Sequence, residues 1–175
     1  SGPGPKALSG RRRVGQDRGR ERHHHGGTIV QVDRRTGIEV IGRTECLQLL
    51  GEHVLGRLAV NEGSAPLVLP VNYGLAGDRV VIRTATGTKL DAVHRPVCFE
   101  VDDFDRAGRS GWSVVVRGRL VEVLPEDRVR WEEMSVLPEP WAEGEKDHVL
   151  CIEPTVISGR RIRPRPAEPT RADQG

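Results

Sequence analysis

Aromatic residues are nearly missing: 175 residues hold two Phe, one Tyr and three Trp. A core built on large rings is thereby excluded. The abundance of Val points instead to an aliphatic core on strands, whose pleated surface suits β-branched side chains. Cysteine is equally scarce. Cys46, Cys98 and Cys151 are odd in number and far apart, with no C-x-x-C or Cys/His spacing. Neither a disulfide framework nor a zinc site is therefore indicated, and a reducing cytosol fits. No apolar run approaches the roughly 20 residues of a membrane span. Arg11-Arg12-Arg13 is not followed by the apolar segment of an export signal, so the protein is expected in the cytoplasm without a membrane partner. Neither sign of charge dominates, with Lys+Arg 27 against Asp+Glu 25 and a formal net charge of +2. No bulk electrostatic case for nucleic acid follows.

The length suits one domain with a substantial core and is too short for two. That domain is expected over residues 28–163. Residues 1–27 carry Gly, Pro, an Arg cluster between Arg11 and Arg22, and His23-His24-His25, with almost nothing apolar. They cannot offset the entropy of ordering and are expected as a disordered basic tail, with the His tract as solvated chain rather than a metal site. The Pro-rich, charged residues 164–175 are expected to be a second disordered tail.

Within the domain the pattern is mainly β. A short apolar segment, Ile38 to Ile41, precedes a helix capped by Thr44 and ending near Gly51. Strands are expected over 53–60 and 65–73, joined by the turn Asn61-Glu-Gly-Ser64, and over 79–84 after a turn at 74–78. A fourth strand covers 97–101. Asp102, Asp103 and Asp105 then fall in a polar loop that lacks the Gly and Glu spacing of a calcium loop. A long strand over 111–124 contains Gly118, which signals a bend or bulge that curls a sheet. Pro125 opens a helix to about Met134 with Val129, Trp131 and Met134 as inner positions. Lys146 falls in a solvated loop over 138–147, and two last strands cover 148–152 and 156–162.

The organising stretch is Asp78 to Ala92. Val80-Val81-Ile82 forms a β-branched run with Arg83 and Thr84 at its exit; Gly87 then permits a turn, and Thr88 caps a helix containing Lys89. Unpaired N–H groups at a helix start, beside an Arg, a Lys and hydroxyls, make a natural seat for a phosphate. Gly87-Thr88-Lys89 is not a nucleoside-triphosphate P-loop, since the upstream Gly is absent and Lys does not follow Gly87 directly. Asp91 reads as a capping residue. His53, His94 and His148 are isolated and read as structural.

Five segments in order, Val54-Leu-Gly-Arg-Leu-Ala-Val60, Leu69-Pro-Val-Asn-Tyr73, Ile82-Arg-Thr-Ala-Thr-Gly-Thr-Lys89, Phe99-Glu-Val-Asp102 and Gly111-Trp-Ser-Val-Val-Val-Arg-Gly118, resemble the flavin-binding split barrels related to pyridoxamine 5′-phosphate oxidase. The resemblance covers about residues 43–163 and is strongest to small actinobacterial-type members. It implies an FMN-binding split barrel of six to seven antiparallel strands, a homodimer with the flavin at the interface, and an oxidoreductase passing a hydride to or from a small-molecule substrate. It also implies a site. Val68, Leu69, Pro70, Val71 and Asn72 would run beside the ring, and Arg83 and Thr84 would stand at its ribityl and phosphate end. Thr88 and Lys89 would bind the phosphate, while Trp112 and Ser113 would reach the ring from the long strand. The deazaflavin F420 is the alternative cofactor; a haem or non-enzymatic flavin binder comes third. The chain ends Gly159-Arg-Arg-Ile-Arg-Pro164 and so lacks the His of the Arg-x-His pair in true pyridoxamine phosphate oxidases, which argues against pyridoxal phosphate synthesis.

Overall fold

The computed structural model describes residues 20–25, 28–33, 36–141, 144 and 146–164. Among the described residues, ten strands and three helices follow in chain order: β1 Arg20–His25, β2 Thr28–Asp33, β3 Glu39–Ile41, α1 Arg43–Gly51, β4 Leu55–Glu62, β5 Ala65–Asn72, β6 Gly74–Ala76, β7 Arg79–Thr84, α2 Thr88–Asp91, β8 Pro96–Asp105, β9 Ser110–Glu122, α3 Pro125–Glu133 and β10 His148–Ile162. All pair antiparallel in one sheet of order β1-β2-β3-β10-β9-β8-β4-β5. One edge of β10 carries β9 along its length. The other carries β7 over His148–Ile152 and β3 over Gly159–Arg161. The run β7-β10-β9-β8-β4-β5 curls into a barrel, yet no ladder joins β5 to β7 among the described residues. That seam splits the barrel.

Burial follows the two-residue period where one face meets water. In β8, Val97, Phe99 and Val101 point inward while their neighbours are partly exposed. The run Val80-Val81-Ile82 is buried on both faces. Val80 and Ile82 join the barrel core with Leu58, Phe99, Val114, Val116, Leu120, Leu150 and Ile152. Val81 packs outward with Val149, Cys151 and Trp131 of α3. Helix α1 closes one barrel end through Cys46 and Leu50. The Tyr73 hydroxyl donates to the Leu50 carbonyl at 2.6 Å, and the Tyr73 ring meets Phe99 edge-on at 4.9 Å. Burial pushes the Tyr73 pKa up.

Several expectations are corrected. The last two strands are one: the register of β10 against β9 shifts between Pro154 and Val156, and Thr155 bulges out while its hydroxyl donates to the Arg117 carbonyl at 3.0 Å. The irregularity expected at Gly118 thus lies on the partner strand. Gly118 stands opposite Pro154, where a Cβ would come 2.1 Å from the Glu153 carbonyl oxygen. Asp102, Asp103 and Asp105 belong to β8 rather than a loop, paired with Ser113, Trp112 and Ser110, because the ladder continues to the hairpin tip. The α1 cap is Gly42, with Thr44 inside the helix. Residues 74–76, expected in a turn, form β6 on β7. Of the three inner positions expected in α3, Trp131 is buried at 7 % exposure, whereas Val129 and Met134 face outward. Arg20–His25, placed in the tail, are described as a strand paired with β2; residues 1–19, 26, 27 and 165–175 lie outside the described residues.

A candidate anion-binding corner at the open seam

The ends of β5 and β7 meet at the seam, because the long β10 holds β7 by its first residues. Val149 pairs with Arg83 and His148 with Thr84. The chain entering β10 therefore passes beside the exit of β7. Together these pieces enclose a cleft of about 100 Å³ lined by Pro70, Val71, Asn72, Arg83, Lys89, Pro138, Pro140 and Lys146. Gly87, at φ 134°, makes the turn that brings Lys89 back into it.

Among the described residues, three cations and no carboxylate line this cleft. Among the described residues, buried Arg83 Nε has no hydrogen-bond partner, and an Arg83 terminal nitrogen donates to the Lys146 carbonyl at 3.4 Å. An orphaned buried donor on a cation costs free energy that an acceptor in the cleft would recover. The Lys89 pKa is lowered, first by burial and then by the charge of Lys146. The charge of an anion bound there would favour the ammonium and so oppose the shift. The arrangement fits a phosphate group: charge-assisted donors converge and nothing in the lining repels it.

The expected phosphate residues divide. Arg83 and Lys89 line the cleft, whereas Thr84 and Thr88 use their hydroxyls elsewhere. Thr84 is 5 % exposed and donates to the Ala85 carbonyl at 3.0 Å; Thr88 donates to Glu62 at 3.1 Å. Gly87, not Thr88, caps α2. That helix is one turn of four residues, so the side-chain cations rather than a macrodipole supply the positive field. Pro70, Val71 and Asn72 line the cleft, while Leu69 packs on the core. Val68 and Val71, three residues apart on a strand, face opposite sides, Val71 buried and Val68 56 % exposed.

Trp112 and Ser113 lie elsewhere. They line a second cleft, of about 470 Å³, at the β8–β9 hairpin with Asp102, Phe104, Arg160 and Ile162. β4 and β8 stand between β9 and β5. Trp112 packs its ring at 4.9 Å and 75° against His53, whose Nδ1 bonds the Leu49 carbonyl at 2.8 Å. His148 Nδ1 lies 3.0 Å from Glu122.

Lys146 was expected in a solvated loop over 138–147, which also holds Pro138, Pro140 and Trp141. The first three line the cleft, and the Trp141 backbone N–H donates to Asn72 Oδ1 at 3.1 Å. Only the pairing of β10 with β7 reveals this, because 63 residues separate Arg83 from Lys146.

The family model described as pyridoxamine 5′-phosphate oxidase matches residues 42–161. The chain belongs to that family, and its fold is the split barrel. An uncharacterised Mycobacterium tuberculosis protein is 34% identical over 130 residues, covering 70% of this chain and 84% of the relative. Among solved structures, an FAD-binding protein from Mycobacterium smegmatis superposes with TM-score 0.62 at 36% identity, covering 71% of this chain and 98% of that one. An FAD-binding protein from Mesorhizobium loti gives TM-score 0.58 at 25% identity, covering 71% and 98%. No helix among the described residues is long and apolar enough to cross a membrane.

Proposed function

We propose that the protein is a flavin-dependent oxidoreductase whose cofactor phosphate sits in the seam cleft. One observation carries this reading: among the described residues, Arg83, Lys89 and Lys146 converge there with no carboxylate, and a buried Arg83 nitrogen has no partner. Family membership and the FAD named for two similar structures support it. Arg83, Lys89 and Lys146 bind and neutralise the phosphate, and Asn72 fixes the end of β5 beside it. A flavin bound there supplies hydride transfer at its ring, while the chain supplies position and electrostatics.

The complete site requires two chains, so we infer a homodimer. Trp112 and Ser113 stand apart from the corner within one chain, and a second copy presenting its β8–β9 hairpin would supply them. The outer sheet face suits such a contact. Directly paired residues form a rung Val68–Ala59–Cys98–Arg117–Val156 across five strands, with Val68 and Val156 exposed. The second cleft, with its Phe, Trp and Arg groups, is where a small-molecule substrate would meet the ring.

The absorption spectrum of the untreated purified protein tests the cofactor class. FMN and FAD share the flavin spectrum, F420 has its own, and a Soret band would replace the proposal with haem. FMN titration then tests the cleft, as developed below.

A further inference from the structure

Trp141 is 69 % exposed, and among the described residues its ring pairs with no other aromatic. It is nonetheless held in place. Its backbone N–H is bonded to Asn72, a cleft-lining residue whose amide nitrogen reaches back to the Val54 carbonyl at 3.4 Å. The preceding Pro138 and Pro140 also line the cleft and restrict the backbone at its rim. A large ring exposed on a stiffened support, next to three convergent cations, is a stacking platform beside a phosphate seat.

We propose that Trp141 stacks the purine of a dinucleotide flavin, so that the chain takes FAD in preference to FMN. The inference rests on the flavin reading of the cleft and names the half of the cofactor that extends beyond it. The phosphate of FMN ends the molecule. In FAD a second phosphate, a ribose and an adenine continue, and the cleft of about 100 Å³ holds little beyond phosphate. The remainder must leave across the rim, where Trp141 stands. The tail of F420 carries carboxylates beyond its phosphate and no purine, so it gains nothing from the ring.

The test is calorimetric titration of the flavin-stripped full chain with FAD, FMN and ADP, on the parent, Trp141→Ala and Trp141→Phe. ADP carries the diphosphate and purine without the flavin ring. Base–aromatic stacking lost to alanine corresponds to about ten-fold or more in affinity. Trp141→Ala is expected to weaken FAD and ADP by that factor and to leave FMN unchanged, while Trp141→Phe retains most of the affinity. Equal losses for FMN and FAD, or no loss for either, would overturn the purine subsite and leave the flavin reading standing. If neither flavin binds the folded parent, the flavin reading itself fails. Dissociation of a dimer by Trp141→Ala without a change in FAD affinity per site assigns the ring to a protein contact and refutes the subsite.

Discussion

Replacing Lys89 by Ala should weaken flavin binding without lowering the stability of the ligand-free protein. Without an anion, the Lys89 ammonium is partly desolvated and repelled by Lys146, which is why its pKa lies below the ordinary 10.5. Its removal relieves both costs, so the ligand-free protein should be unchanged in stability or slightly firmer. With a phosphate present, the same removal deletes a charge-assisted contact worth about 1.5–3 kcal/mol, or roughly ten- to a hundred-fold in FMN affinity. Arg83→Met should behave alike, since it also removes the buried nitrogen that has no partner among the described residues. Lys146→Ala belongs with them, because its side chain lines the same cleft. The pH dependence has a definite sign. Lys89 holds its proton less tightly in the free protein than in the complex, so binding takes up a proton, and affinity should fall as pH rises through the lowered Lys89 pKa. Flavin fluorescence quenching measures affinity, and thermal melts by circular dichroism without ligand measure stability. A folded Lys89→Ala protein that binds FMN as tightly as the parent would refute the placement of the phosphate.

Four other outcomes follow from the geometry. Gly118→Ala should cost about 3 kcal/mol in urea unfolding, because the added Cβ meets backbone at Glu153 rather than a movable side chain. Burial raises the Cys151 pKa from its ordinary 9.0 to about 11. The folded state therefore keeps a proton that the unfolded chain loses, and stability should fall by about 2–3 kcal/mol between pH 9 and 11; Cys151→Ala should flatten that slope in pH-dependent melts while lowering the baseline. Arg163 donates at 2.6 and 3.0 Å to Glu39, which is 4 % exposed; Arg163→Ala should cost about 2 kcal/mol, part of it recovered by adding Glu39→Gln. In sedimentation velocity at micromolar concentration the flavin-loaded protein should run as a dimer, and a monomer would remove the partner chain from the proposed site.

The legible part of this molecule was local. The β-branched run Val80-Val81-Ile82, the turn at Gly87 and the cations Arg83 and Lys89 are neighbours in the chain, so their spacing already assembles most of one cleft wall. Five motifs in fixed order sufficed for the family, since each marks an element whose neighbours the antiparallel meander dictates. The alternation in β8 likewise separates Val97, Phe99 and Val101 from their outward neighbours without coordinates. Where a rule of period competed with tertiary contact, contact won. The Asp cluster of β8 reads as loop by composition, yet the β9 ladder holds it extended. Thr84 and Thr88 have the right chemistry for phosphate, yet Thr84 donates its hydroxyl to the adjacent Ala85 carbonyl and Thr88 donates to Glu62.

The sequence by itself determined the fold class and the two cations that flank the turn, because those depend on propensity and spacing within about ten residues. The tertiary structure alone decided three things. Lys146 enters the cleft because β10 pairs with β7 over His148–Ile152, a long-range register that a polar loop does not announce. Val68 and Val71 part to opposite faces through the pleat and the open edge of β5. Trp112 and Ser113 are carried to a second cleft because two strands intervene; strand order is set by the closure of the sheet, whose energy belongs to contacts between residues far apart in the chain.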